Sequence, residues 1–161
     1  LPVTVVRPFN TYGPRQSARA IIPTIITQVL SGAHEIKLGS LYPTRDLNFI
    51  TDVVDGFICA AESEHSAGEI FNIGSEKETS VKELATIITG LMGSDMPVIE
   101  DPLRKRPEKS EVEHLLADYN KAQKILHWMP LTTLEEGLKK TIAWFSDKNN
   151  INHYKSGKYV I

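Results

Sequence analysis

An α/β fold, strands alternating with helices, is what this sequence predicts, and three observations predict it. Short apolar segments rich in β-branched residues recur along the chain: VTVV (3–6), EIKLG (35–39), DLNFI (46–50), EIFNIG (69–74) and PVIE (97–100). Longer segments between them place apolar residues at helical spacing. Residues that start and stop helices stand at the borders of those longer segments. Alternation of this kind points to a layered α/β arrangement.

The elements follow in chain order. VTVV reads as a buried strand, and RPFNTYGPRQ (7–16) leaves it through two prolines, an Asn and a Gly. AIIPTIITQVLSG (20–32) reads as a helix with Pro23 in its first turn and Gly32 as its C-terminal cap. TDVVDGFICAAES (51–63) opens on Thr51 or Asp52 as N-cap. SVKELATIITGLMG (80–93) opens on a Ser80/Glu83 capping box and ends at Gly93. DYNKAQKILHW (118–128) and TTLEEGLKKTIAWFSDK (132–148) complete the helices; the second opens on Thr132 with Glu135, or on Thr133 with Glu136. The connection at 101–117 is long and charged, which in compact domains marks a functional or disordered loop. Residues 149–161 are polar and lack helical period, as a loose tail or arm does.

Composition narrows the class of function. The 161 residues suffice for one domain with a core, and 41% hydrophobic with 24% charged residues is ordinary for a soluble chain. A net charge of −2 and a pI near 6.2 exclude recruitment of nucleic acid or an anionic membrane by bulk charge. The single cysteine, Cys59, excludes an internal disulfide and reads as a reduced core thiol, in keeping with a cytoplasmic setting. No run of about 18 apolar residues exists to span a membrane. The chain starts at Leu1, already inside a strand-like run, so it reads as part of a longer protein.

Several chemistries are missing from the motifs. There is no glycine-rich phosphate loop after a strand and no Gly-x-Ser-x-Gly elbow. The five histidines lack metal-ligand spacing, so no metal is assigned. Three anion-recognition candidates remain. Asn10 with Arg15 offers an amide and a planar guanidinium suited to phosphate, or else a satisfied turn and a solvated charge. Arg45–Asp46 precedes a strand and reads as a held binding arginine or as a surface ion pair. Arg104, Lys105 and Arg106, followed by Glu108 and Glu111, form a basic loop or a solvated charge run. Asn72 ends a strand beside Gly74 and could share their cleft. Ligands of open α/β sheets sit beyond the carboxyl ends of the strands, where several of these groups fall.

These motifs form an ordered series. R-P-x-N-x-Y-G-P (7–14) is followed by I-I-P (21–23), R-D (45–46), F-N-I-G (71–74), R-P (106–107), A-D-x-x-K-A (117–122), L-x-W (126–128) and L-E-E-G-L (134–138). The series resembles the C-terminal, substrate-binding half of an extended short-chain dehydrogenase/reductase acting on nucleotide sugars, the NAD-dependent epimerase/4,6-dehydratase family. The likeness covers residues 1–147, which makes 1–148 the substrate-binding part of a Rossmann-like fold and 149–161 a polar tail. The run RPEKSEV (106–112) most resembles dehydratases acting on N-acetylhexosamine nucleotides.

The resemblance implies roles for particular residues. Asn10 and Arg45 would bind the sugar-nucleotide diphosphate. Pro8 and Thr11 would lie near the nicotinamide of NAD. Ala20 and Ile21 would line the nucleotide through their backbone, and Ile36, Lys37 and Leu38 would form the strand edge that contacts the base. Asn72 would add a polar contact on the nucleotide side, Arg106 would bind phosphate or ribose, and Glu111 would accept from the ribose. No catalytic residue falls in this chain: the dinucleotide glycine fingerprint is absent, and so is a helical Tyr-x-x-x-Lys pair. Tyr154 and Lys158 have that spacing, but they follow the terminal helix and Gly157 interrupts them. The implied protein is a homo-oligomeric 4,6-dehydratase, with a 4-epimerase or a non-catalytic nucleotide-sugar-binding module as alternatives.

Overall fold

A computed structural model of the chain describes residues 1–105, 107, 111–152 and 154. The chain divides into two compact units. The first comprises Leu1–Tyr12, Arg45–Glu78 and His114–Gly137; the second comprises Gly13–Thr44, Thr79–Glu113 and Leu138–Ile161.

In the first unit, β1 (Val5–Pro8) pairs in parallel with β5 (Ile70–Ile73), with Val5 opposite Ile70 and Arg7 opposite Asn72. Successive side chains of a strand point to opposite faces. Val6, Phe71 and Ile73 therefore face α2 (Ile50–Glu62) and α4 (Asn120–Leu126), where they join Val53, Ala60, Ala122, Leu126 and Trp128 in one apolar cluster. Burial of a ring such as Phe71 stabilises by about 1.5–3 kcal/mol. The Trp128 indole N–H, buried in that cluster, donates to the Asp52 carbonyl at 2.9 Å. Cys59 packs partly buried against the same cluster.

A second strand pair lies beside it. β2 (Asn10–Tyr12) runs parallel to β4 (Thr44–Phe49), placing Asn10 opposite Leu47 and Thr11 opposite Asn48, and β6 (Glu78–Ser80) continues the order β2-β4-β6.

The second unit packs α1 (Ile21–Leu30) on α3 (Val81–Leu91). Ile22, Ile25 and Ile26 of α1 and Leu84, Ala85 and Ile88 of α3 are fully buried. β3 (Ile36–Leu38) pairs in parallel with β7 (Val98–Glu100). α5 (Leu134–Ser146) starts in the first unit and adds Leu138 and Phe145 to the buried set, and α6 (Lys148–Ile151) follows it. Helices α1 and α3 are each followed by a glycine at positive φ, Gly32 at 67° and Gly93 at 62°, a conformation that other residues adopt only with strain.

Three expectations change and one open choice is decided. The first strand is displaced to Val5–Pro8 and is not sealed: Val5 is 42% exposed, because β1 pairs with β5 alone and only one face of that pair is covered. Helix α2 is capped at Phe49, two residues before Thr51 and three before Asp52; Asp52 turns inward and accepts from the Thr132 N–H and hydroxyl, both at 2.9 Å. That use of Thr132 leaves Thr133 and Glu136 to form the reciprocal cap of α5. The tail also starts with a helical turn, α6, capped by Asp147. The capping box of Ser80 and Glu83 forms as expected.

Candidate functional site

The two residues assigned to a diphosphate, Asn10 and Arg45, lie in the first unit on paired strands. Asn10 opens β2 half-buried, and its Nδ2 reaches the Asp46 carbonyl at 3.5 Å. Arg45, half-exposed, precedes Asp46 in β4, so their side chains take opposite faces of the strand. The surface ion pair considered for Arg45–Asp46 is thereby replaced by a division of labour: Asp46 is completely buried while Arg45 takes the other face of the strand.

Asp46 is the most connected carboxylate of this unit. Its Oδ1 accepts from the Ser75 N–H (2.8 Å), the Ser75 hydroxyl (2.6 Å) and Asn48 Nδ2 (3.0 Å). Its Oδ2 accepts from the N–H groups of Glu76 and Ala117, both at 3.0 Å. No salt-bridge partner accompanies it among the described residues; hydrogen-bond donors alone replace the water it has lost. Asn48 is oriented by the same need. Its amide N–H₂ must face the carboxylate, which leaves its buried Oδ1 without a partner among the described residues. Gly74 makes the approach possible, since a Cβ there would stand 2.1 Å from the Ala117 Cβ and 3.0 Å from Asp46 Oδ2.

Asn72, the third residue of β5, is half-buried, with Nδ2 donating to the Asp118 carbonyl at 3.2 Å. Pro8 closes β1 exposed to solvent. The Thr11 hydroxyl, half-buried, donates to the Phe9 carbonyl at 3.1 Å. The Tyr12 hydroxyl donates to the Leu134 carbonyl at 3.1 Å, and burial pushes its phenol well above the usual range, so it stays a fixed donor.

The nucleotide-side residues lie in the second unit. Ala20 caps α1 with extended backbone and Ile21 begins the helix. Ile36 and Leu38 are sealed in the core, so a ligand would meet their backbone rather than their side chains. Lys37 is exposed, and the Gln28 side chain takes both of its backbone groups: Lys37 N–H donates to Gln28 Oε1 at 2.9 Å, and Gln28 Nε2 donates to the Lys37 carbonyl at 3.2 Å. The Gln28 amide thus stands where the peptide of a next strand would stand. Glu111 is half-buried.

The basic loop is partly committed to its own acids. Arg104 Nε donates to Asp101 at 3.3 Å, and Lys105 pairs with Glu100. Bonds from Lys105 and from the Leu41 N–H hold the Glu100 carboxyl below its usual range. Arg106 lies outside the described residues, as do Glu108 and Lys158. Arg15 sits exposed in a turn at φ 65°.

Tyr154 donates its hydroxyl to the Gln16 carbonyl at 3.0 Å and sets its ring edge-on to Phe145 and Trp144. Burial raises its pKa, and these contacts tie residue 154 to Gln16, Trp144 and Phe145. Among the described residues no cluster of His, Cys, Asp and Glu could hold a metal, and no helix is long and apolar enough to cross a membrane.

The family described as GDP-mannose 4,6 dehydratase matches residues 1–141. The UDP-N-acetyl-alpha-D-glucosaminuronate decarboxylase of Bacillus cytotoxicus is 36% identical over 155 residues, 93% of this chain and 48% of that protein. The crystal structure of UDP-glucose 4-epimerase from Thermotoga maritima with UDP-glucose superposes with a TM-score of 0.79 at 34% identity, over 88% of this chain and 45% of that one. The dTDP-glucose 4,6-dehydratase of Bacillus anthracis in complex with NAD gives a TM-score of 0.79 at 27% identity, over 92% and 46%. The chain spans about half the length of the curated relatives it matches. It belongs to the GDP-mannose 4,6 dehydratase family and shares the Rossmann-like fold of these nucleotide-sugar enzymes over about 45% of their length.

Proposed function

We propose that this chain is the nucleotide-sugar-binding part of an NAD-dependent sugar-nucleotide 4,6-dehydratase. The observation that carries the proposal is the placement of Asn10 and Arg45 on the paired strands β2 and β4, with Arg45 on the strand face opposite a buried, fully bonded Asp46. A guanidinium and an amide suit the diphosphate that every nucleotide sugar carries. The UDP-glucose bound by the Thermotoga relative supports that ligand class. Ala20, Ile21 and the β3 backbone would line the nucleotide, and Asn72, Arg106 and Glu111 would add polar contacts to it.

In this reading the residues of the chain bind and orient the substrate. Binding energy from the diphosphate holds the sugar for chemistry elsewhere on the molecule. NAD would supply hydride acceptance and return at the sugar C4, with water lost across C5–C6 in between. Toward that cofactor the chain offers Pro8, exposed at the end of β1, and Thr11; they fit a wall beside the nicotinamide and not a phosphate cradle, since the sequence has no glycine-rich loop. The catalytic Tyr and Lys and most of the NAD site would belong to a preceding half of the protein.

A thermal-shift panel of UDP-, GDP- and dTDP-sugars tests the binding role. One class should raise the melting temperature of the chain, and Arg45→Ala should abolish the rise; an undiminished rise in Arg45→Ala would clear Arg45 of the role. A 4-epimerase is the second reading, favoured by the 34% identity to the Thermotoga enzyme. With the whole protein, a 4-keto-6-deoxy product supports the dehydratase and a C4 epimer supports the alternative.

A further inference from the structure

We propose that Asp46 is a positioning residue for nucleoside-diphosphate binding, one that couples Arg45 to the segments on either side of it; this rests on the diphosphate role of Arg45 above. Three separate stretches of the first unit converge on one carboxylate. β4 supplies Asn48, the turn after β5 supplies Ser75 and Glu76, and the stretch before α4 supplies Ala117. The Asp46 main chain is held as well: its N–H donates to the Leu115 carbonyl at 2.9 Å, and its carbonyl accepts from Asn48 Nδ2 and, at 3.5 Å, from Asn10 Nδ2. Both diphosphate candidates therefore meet at residue 46, Arg45 by the peptide bond and Asn10 by its amide.

The strand period decides the direction of the effect. With Asp46 locked inward by five donors, Arg45 can point only to the opposite face, and the rotation of its strand is fixed. Without that lock the strand rotation that aims Arg45 would have to be set at the moment of binding, which weakens affinity without removing any contact to the ligand. Asn at this position tests the lock sharply. Its N–H₂ cannot accept, so it must face at least one donor with a donor.

The test is a double-mutant cycle on the 161-residue chain, read as the Kd for UDP, GDP and dTDP by calorimetry. Asp46→Asn should weaken the preferred diphosphate by about tenfold, and should weaken it no further in an Arg45→Ala background. A role confined to stability would lower the melting temperature and leave Kd unchanged, and that result overturns the proposal. Equal weakening in both backgrounds also overturns it, because Asp46 would then not act through Arg45. If Arg45→Ala itself leaves Kd unchanged, or if none of the three diphosphates binds, the diphosphate role has failed and the proposal fails with it. Should Asp46→Asn not fold, Ser75→Ala removes one donor and keeps the backbone. It should weaken binding by about twofold to fivefold, again only with Arg45 present, and an unaltered Kd refutes the coupling.

Discussion

Asp46 and Arg45 are neighbours in sequence with opposite fates in space. Arg45 could be nominated from residue type and position, since a guanidinium ahead of a strand is a reasonable phosphate ligand. Asp46 could not, because a carboxylate beside an arginine reads as its ion partner until the strand period shows that the two face apart. Its donors come from positions 48, 75, 76 and 117, a convergence that no local pattern announces. Gly74 was visible in F-N-I-G, but its purpose was not. Gly74→Ala should destabilise the chain by about 1–3 kcal/mol in chemical denaturation, since the new methyl group collides with Ala117. A loss below about 0.5 kcal/mol would mean that the 117 segment moves aside freely.

At the scale of elements, strong periodicity and capping chemistry were legible, and short polar strands were not. α1, α3 and α5 were readable because their apolar stripes are long and each has an explicit signal at one end: Gly32 after α1, Ser80 with Glu83 before α3, Thr133 with Glu136 before α5. β2 and β6 have three residues each and no apolar alternation, so their identity depends on the neighbours that pair with them. The first residue of α2 was misplaced because Asp52, a good cap by type, is claimed instead by Thr132. The α3 cap yields two predictions. Ser80→Ala should cost about 1 kcal/mol in urea denaturation, and a cost near zero would deny the cap its role. Glu83 has its pKa lowered, chiefly by the Ser80 N–H bond and then by the Ser80 hydroxyl, below the ordinary 4.5. Its contribution is therefore present above the unfolded value and lost as pH falls through the folded one. Glu83→Gln should flatten the acid limb of the stability profile in that window, and an unchanged limb would contradict the assignment.

For the whole molecule, the family and the Rossmann-like fold were legible from the order of the motifs, and the exposure of the first strand was not. Val3 ahead of β1, Val5 and Ile70 on β1 and β5, and Val54, Phe57 and Ile58 on α2 remain between 42% and 55% exposed. A parallel sheet is ordinarily covered on both faces, so the open face of β1 and β5 favours association, and so, separately, does the outer apolar face of α2. Light scattering should find the 161-residue chain as a dimer or larger, and Phe57→Glu should shift it toward monomer; a clean wild-type monomer would count against that assembly. The central claim is that the chain binds a nucleotide sugar and leaves the chemistry to another part of the protein. Proton NMR of the chain mixed with NAD and, in turn, UDP-, GDP- and dTDP-glucose tests it most directly. The account predicts broadening of the resonances of one nucleotide sugar with no new sugar signal. A dehydrated or epimerised product, or the absence of broadening with all three, would contradict it.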